Sequence, residues 1–114
     1  MKKIKLCSVS DVPELKPKCL TTEDTYIAVY RHNNEFIAIK DECPHQMASF
    51  EASPNIDGII TCAFHGWSFR LEDGQPHKGF GCLTKYPVTI IENEIWIDFT
   101  EASETDDYQK AFIK

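Results

Sequence analysis

The sequence contains no long hydrophobic run. Adjacent pairs of large aliphatic residues occur at Ile59–Ile60 and Ile90–Ile91, whereas a membrane-spanning helix needs about 20 consecutive apolar residues. The first residues, MKKIKLCSVSDV, supply lysines but lack the apolar stretch of about 7 to 15 residues that a secretory signal peptide requires. We therefore expect a cytoplasmic protein without a membrane segment.

Basic residues are fewer than acidic ones. The chain has 12 Lys and Arg against 18 Asp and Glu, which gives a formal net charge of −6 at pH 7. Nucleic-acid binding depends on basic patches, so this balance argues against a nucleic-acid partner. It favours a protein partner with a basic surface, and association with such a partner should slow as the salt concentration rises.

The chain also lacks room for more than one domain. With 114 residues, of which 42% are apolar, it can bury one modest core. No second catalytic domain fits in this length. The 5 cysteines are an odd number, which does not suit a framework of disulfides and favours a reducing compartment.

The cysteines and histidines that are present include two close pairs. Cys43-Pro44-His45 has the form Cys-x-His, and Cys62-Ala63-Phe64-His65 has the form Cys-x-x-His. Each pair places one sulfur donor and one nitrogen donor on one loop. Two thiolates with two imidazoles are the ligands of a [2Fe–2S] centre in which two His replace two Cys on one iron. The same donors also suit a structural zinc ion, although zinc sites more often combine Cys-x2-Cys with His-x3-His.

Gly66 and Trp67 follow His65 directly, and the whole pattern CPH…CAFHGW resembles that of the Rieske family. The resemblance implies one [2Fe–2S] cluster per chain, with two thiolates on one iron and two imidazoles on the other. The implied thiolate ligands of one iron are Cys43 and Cys62. The implied imidazole ligands of the other iron are His45 and His65.

The other cysteines are not assigned to the cluster. Some Rieske proteins join their two cluster loops by a disulfide, but the corresponding places in this sequence hold Met47 and Ala63, so that bridge cannot form. The remaining thiols have no sequence partner that identifies them as ligands. We expect Cys7, Cys19 and Cys82 to be small buried apolar residues.

Alternating apolar residues predict β-strands throughout the chain. Polar turns at 32–35 and 92–94 should each close a hairpin, and no helical period of comparable strength appears before residue 100. Near the amino terminus, Lys2, Lys3 and Lys5 should line the solvent face of a first strand. The other expected strands are 25–30 with 36–39, 58–61, 68–71, and 88–91 with 95–99.

The resemblance implies an all-β Rieske fold, in which an antiparallel β base carries an inserted cluster-binding subdomain. Within the subdomain, Lys78-Gly79-Phe80-Gly81 should form a third loop whose glycines let it turn tightly over the cluster. Residues 1–100 are assigned to a single Rieske domain, with the base at 1–40 and 83–100, the cluster-binding unit at 41–82, and an acidic C-terminal tail at 101–114.

The residues that follow the second Cys/His pair lack the hydroxyl groups that raise the reduction potential in high-potential Rieske proteins. High-potential Rieske proteins place a Ser just after the second His-Gly and a Tyr two residues further on, where this chain has Trp67 and Phe69. We expect a reduction potential near the low end of the Rieske range of roughly −150 to +300 mV. The resemblance is therefore to the centres of ferredoxins and ring-hydroxylating oxygenases.

A low-potential centre in so short a chain predicts an electron carrier and not an enzyme. An oxygenase would need a mononuclear iron held by two further His, and we expect His32 and His77 to be solvated surface residues. The predicted function is that of a monomeric Rieske ferredoxin, which passes one electron at a time from a flavoprotein reductase to a terminal oxygenase. The expected docking patch or hydrophobic lid around the His ligands consists of Met47, Phe64, Trp67 and Phe80.

Two alternatives to a freestanding carrier stay open. One is a small Rieske subunit held permanently in a larger oxidoreductase, such as nitrite reductase. The other is a zinc-binding interaction module, in which the same Cys and His residues serve only to fold the loops. Colour, redox activity and metal content would distinguish the zinc-binding module from both kinds of Rieske protein.

Overall fold

The computed structural model describes residues 3–22, 25–43, 49–62, 66–79 and 81–98. This part of the chain contains β-strands, turns and one short 3-10 helix, Val9–Asp11, and no α-helix. Within it, no helix has the length and hydrophobicity needed to cross a bilayer. The strands are β1 Lys3–Ser8, β2 Lys18–Thr21, β3 Tyr26–His32, β4 Glu35–Lys40, β5 Ile59–Thr61, β6 Ser68–Arg70, β7 Pro76–Lys78, β8 Lys85–Tyr86, β9 Val88–Ile91 and β10 Glu94–Asp98.

Three antiparallel sheets form from these strands, in the orders β1-β10-β9, β2-β3-β4-β8 and β5-β6-β7. The all-β antiparallel fold predicted from the sequence is confirmed. In the first sheet, Lys3 and Lys5 are exposed on β1, as expected for its solvent face, while Ile95 and Ile97 of β10 are buried. Lys2 lies outside the described residues.

The sheet β2-β3-β4-β8 is central because it carries a core on each face. Successive side chains of a strand point to opposite faces, and β3 and β4 pair with Val29 opposite Ala38 and Tyr30 opposite Ile37. One face packs against the first sheet through Ile27, Val29 and Ala38, together with Ile95 and Ile97. The other face presents Ala28, Tyr30, Ile37 and Ile39 to a second core.

The second core lies between the central sheet and the sheet β5-β6-β7. The third sheet contributes Ile60 of β5 and Phe69 of β6, and the turn after β6 contributes Leu71. All three side chains are buried. The ring of Phe50 meets the ring of Phe69 edge to face, with centroids 6.0 Å apart and an interplanar angle of 86°. This core also contains the two cysteines of the Cys/His pairs, so it connects the fold directly to the candidate site.

Both predicted hairpins are confirmed, with turns shorter than expected. The β3–β4 turn is Asn33–Asn34 and the β9–β10 turn is Glu92–Asn93, so the strands include residues that the sequence placed in the turns. All four turn residues have positive φ, between 51° and 66°, as a two-residue type I′ turn requires.

Some features were not predicted, and some predictions remain open. The short strands β2, β7 and β8 were missed, because two to four residues with Lys or Pro give no clear alternation. The division into a base and a unit at 41–82 stays a prediction. The acidic tail at 101–114 lies outside the described residues.

The β9–β10 turn offers a test of backbone strain. Glu92 has φ 51°, a region that costs most L-residues about 1 kcal/mol or more and that Asn tolerates better. We expect Glu92→Asn to raise the free energy of unfolding by about 0.5–1 kcal/mol, as measured by urea denaturation. Glu92→Gln is the matched control, because it removes the same charge without the turn preference. Equal stability of the two variants would contradict the explanation.

Candidate metal centre

Cys43 and Cys62 lie at the ends of two loops that meet in one core. Cys43 closely follows β4, and Cys62 directly follows β5. Their side chains are 0% and 2% exposed, and both belong to the core that contains Tyr30, Phe50 and Phe69. The structure therefore places in one core the two cysteines that the sequence predicted as sulfur donors on separate loops. The two nitrogen donors, His45 and His65, lie outside the described residues.

Among residues 3–22, 25–43, 49–62, 66–79 and 81–98, no three His, Cys, Asp or Glu side chains form a group that could hold a metal ion. This result follows from the donor set, because only two of the four predicted ligands are described. The two thiols by themselves fit half of a mixed-ligand centre. Soft sulfur donors in a water-excluding apolar core suit an iron–sulfur cluster.

Backbone hydrogen bonds close the second loop at its base. The N–H of Cys62 donates to the carbonyl of Trp67 at 2.7 Å, and the N–H of Gly66 donates to the carbonyl of Cys62 at 3.2 Å. Gly66 has φ 71°, which glycine adopts at little cost. The β5–β6 hairpin therefore ends in a fixed closure, and Cys62 is part of that closure.

The third loop packs against the second through Trp67 and Gly79. A Cβ atom added to Gly79 would lie 2.5 Å from Cδ2 of Trp67, so the indole ring lies directly over the glycine backbone. Gly79 and Gly81 have φ 98° and 91°, a region that glycine adopts at little cost; a tight turn of this loop over the cluster stays a prediction. Of the proposed docking patch, the structure describes Trp67, which is half-buried; Met47, Phe64 and Phe80 lie outside the described residues.

The first loop is anchored by Asp41, a residue that the sequence analysis missed. Asp41 is 7% exposed, its Oδ1 accepts the N–H of Phe50 at 2.7 Å, and its Oδ2 accepts the hydroxyl of Ser49 at 2.7 Å. Its own N–H donates to the carbonyl of Tyr26 at 2.8 Å. An acidic residue two positions before the first predicted ligand, at the end of a strand, was the available signal, but its partners eight and nine positions later were not evident.

Tyr30 reaches the same segment from the central sheet. Its side chain is fully buried, and its hydroxyl donates to the carbonyl of Ser53 at 2.6 Å, with the carbonyl of Phe50 at 3.4 Å. Burial raises the pKa of the Tyr30 phenol, and the neighbouring Cys19 and Asp41 raise it further. The phenol therefore remains a proton donor over the working pH range.

The three other cysteines differ from the expectation. Cys7, Cys19 and Cys82 are all half-buried, and no disulfide joins any two of them. The prediction that they are fully buried was wrong: Cys7 and Cys19 lie on the edge strands β1 and β2 and pack only partly buried against the cores, and Cys82 lies in the loop before β8. Burial is the largest cause that raises the pKa of each thiol, with Asp11, Asp41 and Asp73 respectively as the next.

The two histidines outside the Cys/His pairs differ in their exposure. His77 is exposed, as expected. The prediction of a solvated His32 was wrong, because the shorter turn leaves it at the end of β3, half-buried, with its ring against Gly58. The Nδ2 atom of Asn55 lies 3.3 Å from Nδ1 of His32, and Asn55 also accepts the N–H of Gly58. His32 is therefore part of the packing between β3 and the chain before β5.

Gly79→Ala tests the contact between the second and third loops. The added methyl group would collide with the Trp67 ring, in addition to the cost of positive φ, so we expect a loss of about 2–4 kcal/mol in the free energy of unfolding. Gly66→Ala is the matched control, because its φ is 71° and no atom of the described residues lies within 4 Å of the added Cβ. The control should lose about 1 kcal/mol. Equal losses in urea denaturation would contradict the packing.

Cys19 offers a test of thiol acidity. Its pKa is raised to about 12 from an ordinary 9.0, chiefly by burial and then by Asp41. Because the thiolate is the reactive form, its rate of alkylation by iodoacetamide should rise about tenfold per pH unit through pH 9 and 10 without levelling. Mass spectrometry of the Cys19 peptide gives the rate at each pH. A plateau near pH 9 would show an ordinary thiol.

The chain is similar to known proteins in sequence and in structure. The family described as the Rieske [2Fe-2S] domain matches residues 2–87. The 3-phenylpropionate/cinnamic acid dioxygenase ferredoxin subunit of Escherichia coli (strain K12) is 36% identical over 105 residues, which cover 90% of this chain and 98% of that protein.

Solved structures give a similar result. The ferredoxin of Sphingomonas yanoikuyae B1 superposes with a TM-score of 0.79 at 30% identity, covering 85% of this chain and 98% of that one. A chain from the complex of reduced oxygenase and oxidised ferredoxin in carbazole 1,9a-dioxygenase superposes with a TM-score of 0.76 at 28% identity, covering 83% of this chain and 100% of that one.

Proposed function

The chain belongs to the Rieske [2Fe–2S] domain family, and from that premise we propose that it carries single electrons from a flavoprotein reductase to a terminal oxygenase. The observation that carries the proposal is the burial of Cys43 and Cys62 in one core at the ends of two loops. The ferredoxin subunits among its relatives and the oxygenase–ferredoxin complex among similar structures support the assignment of partners.

Four residues would hold the cluster, one cluster per chain. The thiolates of Cys43 and Cys62 would bind one iron, and the imidazoles of His45 and His65 would bind the other. When bound, such a cluster supplies a one-electron couple whose potential lies above that of an all-cysteine centre, because two neutral ligands replace two anionic ones. The protein contributes the positions of the donors and the exclusion of water.

The residues around the thiols favour a low potential. Phe69 is fully buried in the core of the two cysteines, and Trp67 packs against that core. Neither side chain has a hydroxyl that could donate a hydrogen bond to a cluster sulfur. Hydrogen bonds to the sulfurs raise the reduction potential of such a cluster. Phe69 and Trp67 instead shield the site, which leaves its potential near the low end of the Rieske range.

The proposal assigns no catalytic step to this chain. His77 is exposed, and His32 packs against Gly58; in the part of the chain that the structure describes, neither belongs to a group of three or more metal-binding side chains. We propose a cytoplasmic monomer that meets its partners transiently. Its net charge of −6 favours partners with basic docking surfaces.

The ligand assignment is tested by iron analysis, absorption and EPR spectra of the dithionite-reduced protein. We expect a red-brown protein with about two irons per chain and a rhombic EPR signal. Cys43→Ser and His65→Ala should each abolish both the colour and the signal, whereas the matched controls Cys82→Ser and His77→Ala should keep them. A colourless protein with one zinc would contradict the proposal and establish the structural zinc module.

A separate experiment tests the partner assignment. A freestanding carrier should elute as a monomer in gel filtration and turn over many times between reductase and oxygenase, at a rate that falls as ionic strength rises. The controls are the same assays with the Cys43→Ser variant. Co-purification with a larger oxidoreductase at fixed stoichiometry would instead indicate a permanent subunit, such as that of a nitrite reductase.

A further inference from the structure

A chain of hydrogen bonds connects the two cysteine-bearing loops without passing through the cysteines. It starts at Asp41, whose carboxylate accepts the N–H of Phe50 and the hydroxyl of Ser49, both at 2.7 Å. Asp41 itself is tied to β3 by its N–H bond to the carbonyl of Tyr26. The first loop therefore leaves the central sheet at Asp41 and returns to the same carboxylate.

Tyr30, on β3 of the central sheet, holds segment 49–53 by a hydrogen bond. Its buried hydroxyl donates to the carbonyl of Ser53 at 2.6 Å, and the N–H of Ser53 donates to the carbonyl of Phe50 at 2.8 Å. Because Tyr30 is 0% exposed, water cannot replace this bond if the hydroxyl is removed. Segment 49–53 is thus held both by the end of β4 and by the middle of β3.

Ser53 extends the connection to the second loop. It is 3% exposed, and its hydroxyl donates to the carbonyl of Thr61 at 2.5 Å. That carbonyl belongs to the peptide unit between Thr61 and Cys62, and the N–H of the same unit donates to the carbonyl of Trp67 at 2.7 Å. The peptide plane that carries Cys62 is therefore fixed on both sides.

We propose that Tyr30, Asp41 and Ser53 form a brace that sets the position of Cys43 relative to Cys62, so that the two sulfurs are prepositioned for the same iron. The proposal rests on the proposed ligand role of the two cysteines. The brace residues are not ligands in this assignment and act through the backbone, which makes them positioning residues. Asp41 acts two residues before Cys43, and Ser53 acts on the peptide unit of Cys62.

The brace predicts a specific defect when one bond is removed. Tyr30→Phe keeps the ring in the core but removes the hydroxyl that donates to the carbonyl of Ser53. Loss of a partner that orients a ligand typically lowers metal retention by about 10- to 100-fold. We therefore expect the half-life of the cluster in the presence of an iron chelator to shorten roughly tenfold or more, measured by the decay of visible absorption in the full-length protein.

Tyr26→Phe is the matched control, because Tyr26 lies on the same strand with its side chain 58% exposed and its backbone, not its hydroxyl, holds Asp41. Its cluster half-life should equal that of the unsubstituted protein.

Ile97→Val is a second control for stability, since Ile97 is buried in the other core. It should lower the urea midpoint without shortening the cluster half-life in native buffer. If Ile97→Val shortens the half-life as much as Tyr30→Phe does at equal loss of stability, the brace is overturned.

Conservative changes at Asp41 separate positioning from bulk stability. Asp41→Asn keeps one carbonyl oxygen for the N–H of Phe50, whereas Asp41→Ala keeps none. Cluster half-life and reduction potential should therefore be close to normal in the first variant and altered in the second. Because a loss of global stability alone does not change the potential of a folded centre, equal potentials in Asp41→Ala and the unsubstituted protein would count against the brace.

Hydrogen exchange distinguishes failure of the brace from failure of the proposed function. Mass spectrometry should show faster exchange in the peptide covering 49–53 in Tyr30→Phe and Ser53→Ala than in Tyr26→Phe. If exchange is faster and cluster retention is unchanged, the hydrogen bonds exist but do not position the ligands, and the proposal fails. If the unsubstituted protein binds no iron, the proposed function fails, and the exchange result alone still reports whether segment 49–53 is held by these residues.

Discussion

The candidate site depends on the packing of two loops against one face of the central sheet. Alternation along β3 and β4 sends Ala28, Tyr30, Ile37 and Ile39 to that face, and the opposite alternation sends their neighbours to the first sheet. Each large side chain buried in this way contributes about 1.5–3 kcal/mol. Cys43 and Cys62 belong to the same packed set, so packing against this core and the hydrogen bonds around it together position the two thiols.

This arrangement explains how a small protein can carry a redox centre. The loops need little regular structure of their own, because Asp41, Tyr30 and Ser53 connect them to the sheets through buried hydrogen bonds. A rigid donor set reduces the structural change that accompanies gain or loss of an electron. At the same time, the aromatic side chains of Trp67 and Phe69 supply apolar cover in place of hydroxyl donors, which fits a centre of low potential.

The sequence predicted those parts of the fold and site that have local signals. The hairpins are visible because apolar alternation and a polar turn are adjacent in the chain, and the two Cys/His pairs are visible because donor spacing is short. The strands β2, β7 and β8 are not visible, since each is short and gains its stability from a partner strand distant in sequence. Asp41 was missed for the same reason, because its role depends on contacts with Ser49 and Phe50 that only the fold creates. His32 was misplaced because the turn type was not resolved.

The central claim is that one iron is held by Cys43 and Cys62 and the other by His45 and His65. Mössbauer spectroscopy of the oxidised protein, grown with iron-57, tests it directly because the two irons would have different ligands. The account predicts two quadrupole doublets of equal area, and on reduction the added electron should appear on the iron with histidine ligands. A single doublet from equivalent irons, or the absence of bound iron, would contradict it.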